Sequence, residues 1–286
     1  MRRVRSKGIV YGAWAISLLL SCGAAFGQSR AECEKAYKPQ VGQAGKDVIW
    51  VPTNDALVER MLRMAKTTSS DLVYDLGAGD GKIAIAAAKK FGARSVGVEY
   101  NPEMARFAQC MVSAEGVSGR TKIINGDVFQ TDFSDATVVT LYLLPELNLR
   151  LRPTLLKMKP GTRVVSHSFL MDDWDPDDRS TTEDGYAYLW IVPAQVGGTW
   201  TFTPQQGGER LIAQFDQTFQ MLRGSIGAGS DTKEISDGKL HGNEVNFSFV
   251  GPGGTSKFTG TVNGARIDAT VTDANNRQTR YVGTRT

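Results

Sequence analysis

Residues 71–101 decide the fold, and they read DLVYDLGAGDGKIAIAAAKKFGARSVGVEYN. The short apolar run at 72–76 is typical of a strand buried on both faces of a parallel sheet, and the run at 95–99 is a second one. Between them, apolar residues recur one helical turn apart over residues 83–91. Strand, turn, helix and strand in this order predict one βαβ unit, from which parallel α/β sheets are built.

The turn after the first strand carries three alternating glycines, Gly77, Gly79 and Gly81. Because they lack Cβ atoms, these residues can adopt positive φ and let a ligand approach the backbone closely. The helix that follows points its first free N–H groups into the same space. Glu99 ends the second strand, where a carboxylate can accept hydrogen bonds from both hydroxyls of a ribose. The turn and Glu99 together predict a site for a nucleoside-like ligand.

The spacing of the glycines separates two classes of ligand. A dinucleotide site has the pattern G-x-G-x-x-G, and its third glycine would fall on Lys82. The pattern here is Asp75-x-Gly77-x-Gly79-x-Gly81. It resembles motif I of the class I S-adenosylmethionine-dependent methyltransferases, in which the leading acid and the glycine turn hold the methionine end and the acid at the next strand end holds the ribose. A glycine-rich turn in an ordinary α/β protein is the alternative.

Two later strands of the predicted sheet also end in residues of interest. The run at 121–124 ends at Asn125-Gly126-Asp127, and an acid here accepts from the adenine amino group in the methyltransferase family; a plain turn is the alternative. The run at 136–142 ends in Tyr142, before the loop that shapes acceptor choice in that family. The Tyr142 ring can offer a π face to a partly cationic amine, or it can serve only in packing.

Longer stretches carry a narrower resemblance, which covers roughly residues 50–175. They resemble the small protein-lysine methyltransferases that modify the ATP synthase c subunit and the adenine nucleotide translocase, and their bacterial relatives. The stretches are VPTNDALVERML (51–62), VYDLGAGDGKIAIAAAK (73–89), GDVFQTD (126–132) and TVVTLYLLPELNLRLRPTLLKMKPGTRVVSHSF (137–169).

This resemblance implies S-adenosyl-L-methionine as the cofactor and a protein, through a lysine amine, as the substrate. The cofactor-binding residues that it implies are Asp75, Gly77, Ala78, Gly79, Glu99, Tyr100, Asp127 and Val128. The acceptor-side residues that it implies are Pro52, Thr53, Tyr142 and Pro145. Residues 50–53 are predicted to fold over the cofactor as a lid or to pack on the following helix as a hydrophobic staple.

No catalytic side chain and no metal site are predicted. Methyl transfer from a sulfonium needs no metal and often no strong base, since positioning supplies much of the rate. His167 is a candidate base by its place at the end of the predicted strand 163–169, and a hydrogen-bonded structural histidine is the alternative. Cys33 and Cys110 lack metal-ligand spacing. Cys110 is expected to be a buried, unreactive thiol, with a disulfide to Cys33 as the alternative.

The N-terminus predicts export. Residues 2–7 carry four cations and no acid, an uncharged apolar stretch follows, and Ala25-Phe26-Gly27 supplies a small-x-small cleavage site. Segment 1–27 is therefore predicted to be a secretory signal; an uncleaved membrane anchor and, more weakly, a lipoprotein site at Cys22 are the alternatives. Each places the rest of the chain in the periplasm or envelope, whereas S-adenosylmethionine is made inside cells.

The length of 286 residues predicts more than one domain. We predict a linker at 28–45, a methyltransferase domain with a seven-stranded Rossmann-like α/β sheet at 46–195, and a small all-β domain of unknown role at 196–286. In the last, alternating runs between Asp-Gly, Gly-Pro-Gly-Gly and Asn-Gly turns predict an antiparallel meander of roughly seven strands, curled into a barrel or a two-layer sheet. The acidic stretch 171–185 lacks the spacing of a calcium loop and is expected to be a solvated connection.

The net charge and the predicted export signal bear on the alternative functions. The net charge is +3, but residues 1–27 supply four cations, so the rest of the chain has −1 (3 minus 4) and gives no electrostatic reason to expect nucleic-acid binding. An NAD-dependent oxidoreductase is one alternative, which Lys82 argues against. A non-catalytic envelope ligand-binding protein that retains the methyltransferase fold is the other, and the export signal favours it. The N-terminal segment also allows membrane association, and the oligomeric state is not predicted.

Overall fold

The computed structural model describes residues 28–251 and 253–286. The predicted signal or anchor at 1–27 therefore lies outside the described residues. None of the helices in the described chain has the length and apolar character that crossing a bilayer requires. An α/β half comes first along the chain, and an all-β half follows it.

The elements of the α/β half alternate along the chain. Its helices are α1 (Arg30–Ala36), α2 (Asp55–Met64), α3 (Lys82–Phe91), α4 (Pro102–Ala114) and α5 (Pro145–Leu155). Its strands are β1 (Leu72–Leu76), β2 (Arg94–Glu99), β3 (Thr121–Asn125), β4 (Val138–Leu141), β5 (Arg163–His167), β6 (Asp178–Thr182) and β7 (Gly185–Ile191).

In the described chain these strands form one seven-stranded sheet in the order β3-β2-β1-β4-β5-β7-β6. Strands β1 to β5 run parallel, β7 is antiparallel to β5, and β6 is antiparallel to β7. This confirms the predicted sheet and corrects one part of it, because the acidic stretch 171–185 is not only a connection but contains the edge strand β6. The parallel strands bring the carboxyl ends of β1 to β4 to one edge of the sheet.

Helix α2 shows how the local sequence builds this half. The Asn54 side chain accepts a hydrogen bond from the Ala56 backbone N–H at 2.8 Å and so caps the helix. The apolar residues at helical spacing, Leu57, Val58, Met61 and Leu62, are all buried. Burial of one face against the sheet, with a capped first turn, places the segment before α2 beside the ends of the central strands.

A disulfide joins Cys33 in α1 to Cys110 in α4, with 5.8 Å between the Cα atoms. The expectation of a free thiol at Cys110 was therefore wrong. Helix α1 lies inside the stretch predicted to be a linker, and it docks on α4, where the Tyr37 and Phe107 rings lie 5.9 Å apart. Because 77 residues separate the two cysteines, only this docking makes them neighbours.

The all-β half is a closed eight-stranded antiparallel barrel in the described residues. The meander prediction is confirmed, with eight strands in place of roughly seven, and closure excludes the two-layer alternative. The strands are β8 (Gly198–Pro204), β9 (Leu211–Thr218), β10 (Met221–Ala228), β11 (Asp231–His241), β12 (Glu244–Gly251), β13 (Gly254–Asn263), β14 (Arg266–Thr272) and β15 (Gln278–Arg285).

The barrel meets the sheet at the edge where the parallel strands begin. The Ala194 N–H, just after β7, donates to the Gly242 carbonyl at 2.8 Å, and the end of β7 pairs with the start of β5. At the same junction the Gln220 side chain accepts from Trp174 Nε1 at 3.0 Å and donates to the Asp175 carbonyl at 2.7 Å. The carboxyl ends of the strands, on the opposite edge, stay free of the barrel.

Candidate active site

A cavity of about 320 Å³ lies at the carboxyl ends of β1 to β4. Its walls come from residues 43–53, the glycine turn after β1, and the residues that follow β2, β3 and β4. All of the lining residues lie between Gln43 and Phe169, so the barrel contributes none of them. The site is built by the α/β half alone, at the edge where ligands bind in open parallel sheets.

The glycine turn forms the floor of the cavity and requires residues without Cβ atoms. Gly77 and Gly79 have φ of +83° and +54°, a region that L side chains rarely adopt. A Cβ at Gly79 would collide with Trp50 Nε1, and one at Gly77 would lie 3.0 Å from Leu143 Cδ2. The N–H groups of Gly77 and Ala78 both donate to the Val98 carbonyl at 2.9 Å, which fixes the turn to β2. The turn therefore requires glycine at both positions, and in this structure the side chains that approach its backbone are Trp50 and Leu143.

The Glu99 carboxylate is held by backbone groups at the cavity wall. The Gly79 N–H donates to Oε2 and the Asn101 N–H donates to Oε1, each at 2.8 Å. Burial raises the pKa of Glu99, while these N–H groups favour its ionised form. Each oxygen keeps a further lone pair. The carboxylate is therefore oriented and still able to accept hydrogen bonds from two hydroxyl groups.

Asp75 lies deeper, at 2% exposure, where β1 enters the glycine turn. Thr140 Oγ1 donates to its Oδ1 at 2.7 Å. Burial raises the pKa of Asp75 to about 7, against the effect of that hydrogen bond. A cationic group in the cavity would offset the cost of ionising this carboxyl. A buried acid beside a glycine turn thus fits a positively charged ligand.

Asp127 already has a cationic partner. Lys46 Nζ lies 2.6 Å from Asp127 Oδ2, and the Phe129 N–H donates to Oδ1 at 2.9 Å. The hydrogen bond from Lys46 is the main reason that the pKa of Asp127 is lowered. Lys46 also lies 5.1 Å from the centre of the Tyr100 ring. The acid predicted to accept from adenine is thus paired with a lysine that sequence reasoning missed, since 81 residues separate the two.

Residues 43–53 form a cover segment over the cavity. The Trp50 N–H donates to the Gln43 carbonyl at 2.9 Å, which closes the segment on itself. The C-terminal end of the segment is held by Lys82, whose Nζ donates a hydrogen bond to the Thr53 carbonyl at 3.1 Å. Trp50 rests on the glycine turn. Of the two roles predicted for residues 50–53, the structure shows the position of a lid.

The acceptor-side residues are only partly brought together. Pro52, Thr53 and Tyr142 line the cavity, but Pro145 does not. Pro145 is the exposed first residue of α5, where the missing N–H suits the helix start, and it does not line the cavity although Leu144 and Leu147 on either side of it do. His167 does not line the cavity either; it lies behind Thr53 and Tyr142.

The residues predicted to hold the cofactor meet in this one cavity. All eight line its wall: Asp75, Gly77, Ala78, Gly79, Glu99, Tyr100, Asp127 and Val128. Sequence reasoning missed Lys46 and Leu143, which lie on the same wall. Of these two residues only Leu143 had a signal in the sequence, because it directly follows the end of a predicted strand.

Comparisons with known proteins agree with this geometry. A family model described as "ANTKMT methyltransferase domain" matches residues 75–178. A protein-lysine N-methyltransferase of Saccharolobus islandicus is 47% identical over 151 residues, which are 51% of this chain and 94% of the relative. The human lysine N-methyltransferase of the ATP synthase c subunit is 32% identical over 148 residues, which are 51% of this chain and 62% of the relative.

A solved structure matches over the same share of the chain. It is an RNA methyltransferase from Salinibacter ruber in complex with S-adenosyl-L-homocysteine, 45% identical, with a TM-score of 0.50. The match covers 51% of this chain and 96% of that one. About half of the present chain therefore lies outside these matches.

The parallel sheet, the glycine turn and the acidic strand ends define a class I S-adenosylmethionine-dependent methyltransferase. The chain belongs to the family of the Saccharolobus protein-lysine N-methyltransferase. The resemblance seen in the sequence is confirmed, and so is the cofactor, S-adenosyl-L-methionine.

The residues of the cavity fit this cofactor. Glu99 has free lone pairs for the two ribose hydroxyls, Asp75 suits a cationic group, and Gly77 and Gly79 give the turn the positive φ that shapes the cavity floor. When bound, the cofactor supplies an electrophilic methyl group on a sulfonium. The chain itself contributes binding, orientation and exclusion of water by the cover segment.

Proposed function

We propose that this protein transfers a methyl group from S-adenosylmethionine to a lysine side-chain amine of another protein. One observation carries the proposal: a single cavity joins the glycine turn and Glu99 on one wall to Thr53 and Tyr142 on another. The names of the Saccharolobus and human relatives support a lysine amine as the acceptor.

The proposed chemistry depends on what the cavity does to the acceptor. A lysine must lose its proton before it can attack a methyl group, and a poorly solvated cavity lowers the pKa of an amine. Tyr142 is half-buried in the wall, with a ring face and a hydroxyl to offer to that amine. Holding the nucleophile and the methyl carbon in line can lower the activation free energy by about 7–11 kcal/mol. No side chain is assigned as a general base.

A protein acceptor is favoured over RNA, although the Salinibacter relative is called an RNA methyltransferase. Beyond residue 27 the chain has a net charge of −1 (3 minus 4). Binding to nucleic acid draws most of its affinity from cations that neutralise phosphates. This charge balance offers no such surplus.

The test is radiolabelled methyl transfer by the full chain into an envelope protein extract and, separately, into total RNA. We expect label on lysine side chains, identified by mass spectrometry of the labelled proteins. E99A serves as the binding-deficient control, and E103A, at an exposed position of α4, serves as its matched control. Label in RNA alone would overturn the acceptor assignment.

Calorimetry with S-adenosylmethionine and with NAD separates the other functions. Binding of neither compound would favour the non-catalytic envelope binding protein, as would binding of the first with no transfer to protein or RNA. Binding of NAD alone would favour the oxidoreductase. Binding of S-adenosylmethionine alone, together with transfer, is the expected result.

We also propose that the protein acts in the periplasm or envelope, with membrane association through residues 1–27. The Cys33–Cys110 disulfide supports this, because disulfides persist in oxidising compartments and are rare in the cytosol. Cell fractionation followed by thiol labelling under denaturing conditions tests it. Free Cys33 and Cys110 in a cytosolic protein would contradict the proposal.

The chain division also remains a proposal. The sheet ends with Ile191 and the barrel begins with Gly198, so we place the boundary of the methyltransferase domain (46–195) and the all-β domain (196–286) between them. Limited proteolysis should yield fragments that end near residue 195.

A further inference from the structure

His167 lies directly behind the acceptor side of the cavity. Its ring stacks on that of Tyr142, with 3.7 Å between ring centres and 26° between planes. Its Nδ1 lies 3.0 Å from Thr53 Oγ1, and either atom can donate, depending on the tautomer. Thr53 and Tyr142 line the cavity, whereas His167 is only 6% exposed and does not. One buried side chain thus touches two acceptor-side residues that come from different segments.

The backbone holds His167 firmly in this place. It ends β5 and pairs with Ala187 of β7, and the next residue, Ser168, donates its N–H to the Tyr186 carbonyl at 2.9 Å. On the far side of the ring, Gly185 has φ of +133°, and a Cβ there would lie 3.2 Å from His167 Nε2. The ring therefore has the sheet on one side and the cavity wall on the other.

The contacts explain why the position carries a histidine. A phenylalanine would supply the flat face for Tyr142 but no partner for the Thr53 hydroxyl. An asparagine would supply the partner but no ring. Burial lowers the pKa of His167 to about 4, so the imidazole is neutral near pH 7 and adds no positive charge behind a site for an amine.

We propose that His167 is a positioning residue for the acceptor: it fixes the Tyr142 ring and the Thr53 hydroxyl in the cavity wall and takes no proton from the substrate. This inference rests on the proposed function. It differs from a role as general base, which would require His167 to reach the reacting amine. Thr53 is also bound through its carbonyl to Lys82, so His167 completes the attachment of the cover segment at the acceptor end.

Two variants separate the two contacts of the ring. H167F retains stacking on Tyr142 and loses the bond to Thr53, and H167N does the reverse. H241N is the matched control, because His241 is the other histidine of the sequence and lies exposed on the barrel. The measurements are the Kd for S-adenosylmethionine by calorimetry, and kcat and KM with poly-L-lysine as the acceptor probe.

For H167N and H167F we expect Kd for the cofactor within twofold of wild type and a KM for poly-L-lysine raised tenfold or more. In a Y142A background, H167N should change KM less than twofold further, because the ring that it positions is gone. H241N should match wild type throughout. Unchanged KM in both variants would overturn the proposal, as would a parallel loss of cofactor affinity and thermal stability, which indicates a purely structural role.

A readout without turnover keeps this inference separate from the proposed function. With ¹³C-labelled tyrosine, NMR of the wild type should show Tyr142 ring signals displaced by the stacked imidazole. The displacement should persist in H167F and vanish in H167N, and an identical spectrum in all three would contradict the proposal. If the wild type methylates neither poly-L-lysine nor envelope proteins, the proposed function fails, and this comparison still decides whether His167 holds Tyr142.

Discussion

The α/β half and the barrel differ in the kind of side chain that each withdraws from water. The sheet leaves the ends of its parallel strands open, and carboxylates such as Asp75 and Glu99 lie there partly or wholly withdrawn from water. The barrel closes on itself and fills its interior with apolar side chains, among them Phe247 and Phe258, stacked at 4.3 Å.

The two halves therefore differ in role: the interior of the barrel contributes to stability, whereas the open edge of the sheet forms the binding site. Burying a carboxyl group costs free energy, and such cost is typical of sites that bind a ligand. In the sheet half this cost of burial falls on Asp75, whose pKa is raised to about 7. Among the described residues, the barrel buries no carboxyl group in its aromatic core and supplies no residue to the cavity. We therefore expect changes in the two halves to act on different measured quantities.

The largest expected effect is on the barrel. Phe258 is almost fully buried between Phe202 and Phe247, so F258A should lower the free energy of unfolding of the barrel by about 3–5 kcal/mol. Hydrogen exchange of barrel peptides across a urea titration, read by mass spectrometry, measures this loss in the barrel alone; tryptophan fluorescence would not, because tryptophans also lie in the α/β half. The Kd for S-adenosylmethionine should stay within twofold under conditions in which the variant is folded.

K257A, at the exposed neighbouring position of β13, should leave both quantities unchanged. Weaker cofactor binding by folded F258A would contradict the expectation that the barrel core does not affect the cofactor site.

The second effect is on the disulfide of the sheet half. The double variant C33S/C110S should lower the free energy of unfolding of the α/β half by about 2–4 kcal/mol, since the bond closes a loop that spans 77 residues. Because α1 anchors the chain that leads into the cover segment, affinity for S-adenosylmethionine should also fall severalfold. Wild type in reductant should behave as the variant does, and a shift of the urea transition of the barrel peptides, followed by hydrogen exchange, would contradict the expectation.

The third effect is on cofactor binding alone. E99A removes both acceptor oxygens that face the Gly79 and Asn101 N–H groups, and should weaken S-adenosylmethionine binding at least tenfold, or about 1.4 kcal/mol. Calorimetry measures the affinity, and E103A is the control for the loss of a carboxylate on the adjacent helix start. Unchanged affinity in E99A would remove Glu99 from the site.

The smallest expected effect is a pH dependence. With a pKa raised to about 7, Asp75 is mostly neutral at pH 6 and mostly ionised at pH 8, so affinity for the cationic cofactor should rise with pH, by up to about tenfold across this range. D75N should lack this rise, and D184N, at an exposed turn, should keep it. Since the cofactor also titrates, the result is the difference between wild type and D75N; parallel curves would exclude Asp75 as the cause.

Much of the site was predictable because it depends on local patterns. Glycine spacing, apolar strands and an acid at a strand end are properties of short segments, and parallel strands carry their ends to a common edge. That rule brought together Asp75, the glycine turn, Glu99 and Asp127. It failed for Pro145, because the strand-end rule does not determine which side chains in the first turn of a helix face the site; Leu144 and Leu147 line the cavity and Pro145 does not.

The cover segment shows why the rest was not predictable. Lys46 and Trp50 lie on the site only because α1 docks on α4 and α2 packs on the sheet. Edge strand β6 likewise depends on β7 as its partner, and its sequence, DRSTT, carries no apolar alternation.

The sequence by itself determined a βαβ unit with a glycine turn and an antiparallel meander after it, because each follows from periodicity and turn residues within short segments, and its resemblance to a known family implied the methyltransferase class and the cofactor. Only the tertiary structure decided that Cys33 bonds Cys110, that Lys46 pairs with Asp127, and that His167 supports Tyr142 and Thr53. Each of these contacts joins segments far apart in the chain. Their formation depends on the packing of whole helices and strands, which no local pattern encodes.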